Sequence, residues 1–221
     1  MTRIISFLCG MLLMLLSLSG TGRADTVISV GQLDDWVHQL NDLQGQTSPE
    51  RFASQSVDLL ARLNDWLSSV DAVYFFRQWS KDDEVVKDLI PLAAGDVPEA
   101  RIQATLVLGN VVDNTNVCYV ISYIEAGKGL SVNGRFNLLQ VVLQVANYPL
   151  ADTGVWISDM ANQLLKKVSA EENMEKTVNL LLKIRQTLAD PKFSSSGSLR
   201  TLAPGKFTAC QDELNKVKSF N

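Results

Sequence analysis

An all-α fold is what this 221-residue chain predicts, and three observations carry that reading. Apolar residues from about Gly31 to Asp190 recur at helical spacing, the periodic segments run roughly 12 to 20 residues, and alternating strand-like runs are lacking. The first expected helix sets Leu33, Trp36, Val37, Leu40 and Leu43 on one side and Asp34, His38 and Asp42 on the other. A second, from Pro49 to Val70, has Ser48 as cap, Pro49 at its first position, and an inner stripe of Phe52, Leu59, Leu63, Trp66, Leu67 and Val70. The aromatic run Val73-Tyr74-Phe75-Phe76 with Trp79 reads as gap-filling core, with a ligand-stacking patch as the alternative.

A helix near Asp82 to Ala94 ends at Gly95, and Asp96, Pro98 and Glu99 then supply a cap, a first-turn proline and a capping-box acid. The helix they start, Pro98 to Asp113, is apolar on most sides, which predicts the central buried element. Segments Asn116 to Ala126, Val132 to Asn147 and Thr153 to Val168 follow, separated by Gly127, Gly129 and Pro149. Glu171 to Ala189 buries Met174, Val178, Leu181, Ile184 and Leu188 and stops before Pro191. Residues 191–206, rich in Ser, Gly and Pro, read as a flexible linker, and a short helix from about Thr208 to Phe220 within 207–221 closes the chain.

Ahead of the helices, Arg3 leads into an apolar run from Ile4 to Leu18, and Gly22-Arg23-Ala24 leaves small residues at the −3 and −1 positions of a cut. That order is a secretory signal peptide over 1–24, so the expected working protein is exported, periplasmic if bacterial and otherwise secreted, and starts near Asp25. The apolar run is short of the ~20 residues that span a bilayer, and no later stretch is apolar enough to anchor the chain. Cys9 lacks small residues before it and lies too early in the run for lipidation. One domain, 25–190 with its tail, is the expectation for a chain of this size.

Net charge is −4, and −6 once the leader with Arg3 and Arg23 is removed, which argues against nucleic acid and anionic lipid as partners. Cys118 and Cys210 survive processing, and an even pair in an oxidising compartment predicts a bridge that ties the last helix back. Two separate buried thiols, or a pairing between chains, are the alternatives.

Ala104 to Ile121 reads Ala-Thr-Leu-Val-Leu-Gly-Asn-Val-Val-Asp-Asn-Thr-Asn-Val-Cys-Tyr-Val-Ile. This resembles the end of an armadillo repeat, with Ala104, Leu108, Asn110 and Val111 on the helix, Asn114 or Asn116 in the turn and Ile121 at the buried position. Arg101, with Leu108-Gly109 after it, also resembles the second helix of a HEAT repeat. Arg135-Phe136 through Val145-Ala146 overlays Arg101-Ile102 through Val111-Val112 at an offset of about 34, and Lys176 through Leu188 overlays Arg135 through Asn147 at about 41. The resemblance implies an irregular helical stack; a non-repetitive α-helical bundle is the alternative.

No catalytic or metal-binding set stands out, and no cofactor is expected. His38 is the only histidine, no Gly-x-Ser-x-Gly elbow or nucleotide-cradling glycine loop accompanies it, and its alignment with Asp34 and Asp42 reads as a solvated face. Neutral amides form the clearer pattern. Asn137, Gln140, Gln144 and Asn147 fall within about 80° of one another on one helix. Gln103, Asn110 and Asn114 stand in the same relation on the helix before, and Asn179 and Gln186 on a later one. Such strips can pair with the backbone of an extended peptide, since an amide carries both donor and acceptor. The resemblance implies that role for Asn110 in particular. The expected function is therefore binding of another extracytoplasmic protein or an extended peptide. The rivals are an enzyme cleaving extracytoplasmic polymer through two carboxylates and a small acidic inhibitor.

Overall fold

The computed structural model describes residues 29–79, 83–168, 174–190 and 200–218, and all regular structure among them is helical. The leader, and residues 191–199 of the expected linker, lie outside them. Ser29 opens α1 (Val30–Gln46) with a capping box, its hydroxyl accepting from the Gln32 amide while the Gln32 side chain accepts from Ser29 N. Ser48 caps α2 (Pro49–Trp66), whose buried stripe of Phe52, Leu59, Leu60 and Leu63 follows the expected spacing. The helix does not run on to Val70. Ser68 donates its hydroxyl to the Asp65 carbonyl, Ser69 accepts from the Ala72 amide, and this local competition for backbone groups ends α2 and starts α3 (Val70–Trp79).

That places the aromatic run on a helix of its own and divides it. Phe76 is buried, whereas Tyr74 is 68% exposed; Trp66 lies edge-on to Trp36, Phe75 and Phe76. Next come α4 (Glu84–Ala94) and α5 (Pro98–Val111). The cap of α5 is Val97 rather than Asp96 and makes no side-chain cap bond; Arg101 instead donates to the Gly95 carbonyl across the turn. Nor is α5 buried all round. Ala100, Ala104, Val107, Leu108 and Val111 face the core, but Ile102 and Leu106 stand 52% and 48% exposed.

The remaining helices are α6 (Val117–Ala126), α7 (Val132–Ala146), α8 (Ala151–Val168), α9 (Glu175–Ala189) and α10 (Pro204–Lys218). They extend a regular pattern of contacts. Helices α1 and α2, α4 and α5, α6 and α7, and α8 and α9 pair as hairpins. Along the chain, α1, α4, α6 and α8 pack each on the next in one row, and α2, α5, α7 and α9 do so in a second. A continuous core from Leu33 to Leu214 lies between the rows. The connections are held by side chains: Asn114, before α6, accepts from Leu150 N and donates to the Tyr148 carbonyl, so one inter-hairpin turn grips the next. At the other end Ser131 directs both its amide and its hydroxyl at the Ala94 carbonyl, seating the start of α7 on the end of α4.

The tail is attached earlier than the expected linker allowed. Ala151 N donates to the Arg200 carbonyl, Leu202 N to Asp152 Oδ2, and α10 begins at Pro204 rather than Thr208. The helix lies on α6, where Cys210 is disulfide-bonded to Cys118. Lys206 adds a 2.7 Å ion pair with buried Asp83, and Ser122 donates to Glu213.

Candidate functional site

The second row presents a groove of about 750 Å³ across α5, α7 and α9. Helical spacing accounts for its composition. Leu106 and Asn110 are one turn apart on α5; Phe136, Gln140 and Gln144 follow at successive turns of α7; and Lys176, Asn179 and Lys183 share a face of α9. Leu106, Phe136, Val141, Leu143 and Leu180 make the floor apolar, with Thr105 and Gly109 at the α5 side. A β-carbon at Gly109 would come within 3.1 Å of Gln144 Oε1 and push that side-chain end aside by a few tenths of an ångström. Its absence lets the Gln144 amide lie against the α5 backbone.

Of the nine amide residues picked out in the sequence, Asn110, Gln140, Gln144 and Asn179 line this groove. Asn110 spends its Nδ2 on the Leu106 carbonyl of its own helix, while its backbone carbonyl accepts from Arg77 at 2.9 Å. Arg77 also reaches Asp113, which ties α3 to the end of α5. The side chains of Gln140, Gln144 and Asn179 make no hydrogen bond with other described residues, and all three residues are exposed.

The other five lie outside the lining. Asn114 is consumed in the turn contacts with Tyr148, Leu150 and Thr153, and Asn147 donates to the Leu143 carbonyl at the end of its helix. Gln103 is half-buried with an Oε1 that has no hydrogen-bond partner among the described residues; Asn137 is half-buried and Gln186 exposed. An angular strip on one helix brings together only those members that lie at the height where the neighbouring helices present theirs.

The apolar lining and two charged residues of the groove were not anticipated as parts of a site. Lys176 and Lys183 are its only charged side chains, both exposed and neither ion-paired among the described residues. Their spacing from Asn179 was readable in the sequence, but the acidic total hid a local positive site. Elsewhere, Asp34, His38 and Asp42 are all exposed on α1, and no group of three or more His, Cys, Asp or Glu among the described residues is placed to hold a metal.

The displaced titrations lie away from the groove. On α4, a 2.8 Å hydrogen bond to Glu84 holds the Lys87 ammonium above its ordinary value, and burial followed by the nearby Glu84 charge pushes the Asp88 carboxyl up. Burial likewise raises the Tyr119 and Tyr123 phenols on α6. No helix among the described residues is long and apolar enough to cross a membrane. Comparison with protein-family models, curated proteins and solved structures found no match.

Proposed function

We propose that this chain is an exported binding module, an irregular armadillo- or HEAT-like stack that holds an extended segment of another protein in the groove across α5, α7 and α9. The observation that carries the reading is the meeting of Asn110, Gln140, Gln144 and Asn179, from three successive helices of one row, over an apolar floor. An extended backbone exposes a donor and an acceptor at nearly every residue, and amides answer both without burying a charge. The apolar floor then takes side chains, in the manner of other peptide grooves.

Two further observations support the architecture. Helices α5 and α7 begin 34 positions apart, the same offset at which the Arg101 and Arg135 stretches overlay, so the internal likeness falls on neighbours in one row. The row order itself, with hairpins stacked in sequence, is how a repeat stack buries its core. The Cys118–Cys210 bond is of the kind that persists in oxidising compartments, which favours export. Cleavage of polymer by paired carboxylates has no counterpart in the groove, whose lining contains no Asp or Glu.

The test is selection of random dodecapeptides displayed on phage by the immobilised protein. Wild type should enrich peptides, and Asn110→Ala/Gln144→Ala should lose about 1 to 3 kcal/mol of affinity for the winners, as expected when partners of buried hydrogen bonds are removed. Its unfolding midpoint should stay within the range of a surface substitution. No enrichment, or equal binding by the double variant, refutes the proposal.

A further inference from the structure

Resting on that reading, we infer that the groove selects an acidic segment, one whose Asp or Glu side chains meet Lys176 and Lys183 while its backbone meets the amides. The lining holds two lysines and no carboxylate, in a chain whose net charge is −4. Acids outnumber bases over the whole molecule, so a patch of the opposite sign within a concave apolar lining is the place where an anionic partner gains and a cationic one does not.

The geometry narrows the segment. Lys176 and Lys183 lie seven residues apart on α9, a rise of about 10 Å along the helix. An extended chain advances about 3.3 Å per residue, so carboxylates two to four residues apart along such a segment fall within reach of the two long side chains. Neither ammonium has an ion-pair partner among the described residues, so meeting a carboxylate breaks no existing bridge. Three of the four amides lie on α5 and α7, and the fourth, Asn179, lies on α9 between the two lysines in sequence. Backbone recognition is thus shared by all three helices, whereas the charge is carried by α9 alone.

The selection described above separates this inference from the binding proposal on which it rests. Wild type should enrich sequences with an excess of Asp and Glu over the starting library. A synthetic winner with its acids changed to Asn or Gln should bind roughly 2- to 20-fold more weakly at low salt, the size expected for two exposed ion pairs. Lys176→Gln/Lys183→Gln should lose affinity for the parent peptide by a similar factor, flatten its salt dependence, and bind the neutralised peptide as well as wild type does. Enriched peptides without acidic excess would overturn the charge inference and leave peptide binding standing. Acidic winners that bind the lysine variant undiminished would overturn it too, because the charge would then be read elsewhere. No enrichment of any kind would remove both.

Discussion

Gly134→Ala should destabilise the protein strongly, although the same substitution usually strengthens a helix. Gly134 lies in the first turn of α7, where an added β-carbon would sit 2.6 Å from the Ala94 Cα and closer still to its carbonyl. Atoms of a backbone cannot swing aside as a side-chain end can, so α4 and α7 would have to separate. Overpacking of this sort costs about 1 to 3 kcal/mol. Separation also stretches the Ser131 amide and hydroxyl bonds to Ala94 O, at 3.1 and 3.0 Å, each contributing about 1 kcal/mol. Alanine returns about 1 kcal/mol through its better helix propensity, which leaves a net loss of roughly 2 to 4 kcal/mol. For a chain of this size that lowers Tm by about 5 to 15 °C. Gly45 supplies the control: it lies in α1 with nothing within 4 Å of the added carbon, so Gly45→Ala should stabilise by about 0.5 to 1 kcal/mol. Urea and thermal unfolding followed by far-UV circular dichroism measure both. A neutral or stabilising Gly134→Ala would refute the close seating of α7 on α4.

Asn114→Ala removes the contacts that hold one inter-hairpin turn to the next, and the stranded Leu150 amide makes the expected loss about 2 to 3 kcal/mol by urea unfolding, against almost nothing for the groove variant Asn110→Ala/Gln144→Ala. The Cys118–Cys210 bond closes 92 residues of chain, so Cys210→Ser should lower stability by up to about 4 kcal/mol and speed proteolysis of α10 first, while non-reducing peptide mapping of the parent shows the linked pair. Asp88 holds its proton to higher pH when folded than when unfolded. The stability from that protonated state is therefore present below the ordinary Asp range and lost as pH rises through the raised folded value. Asp88→Asn should remove that decline, which urea titrations across the acid range would reveal as a flatter stability profile.

Helix type and order were legible in the sequence because an amphipathic period is a property of neighbouring residues. The stripes through Leu33 and Leu40, Phe52 and Leu63, and Leu181 and Ile184 are buried as their spacing demands. Serines 48 and 29 hold their helix starts by bonds within three residues, and such local chemistry needs no knowledge of the fold. Where local signals competed, the boundary depended on more. Ser68 and Ser69 broke a periodic stretch that looked continuous, and Val97 displaced Asp96 as the cap of α5. The tail helix began four residues early, its approach already fastened to α8 through Arg200 and Leu202.

The groove belonged to the tertiary structure. Periodicity alone could place Asn110, Gln140, Gln144 and Asn179 on helices, yet not show which of them face the same space. That depends on the relative height and rotation of α5, α7 and α9, set by core packing through residues such as Leu108, Val142 and Leu181. The same packing turned Asn114 inward to hold a turn and left Leu106 facing out on a helix expected to be buried. Charge followed suit: a sum over the chain is negative, and only the juxtaposition of helices gathers Lys176 and Lys183 into a groove whose lining has no Asp or Glu. Periodicity acts over a few residues and is written in order along the chain, whereas a shared surface is made by residues seventy positions apart, whose meeting is decided by how helices stack.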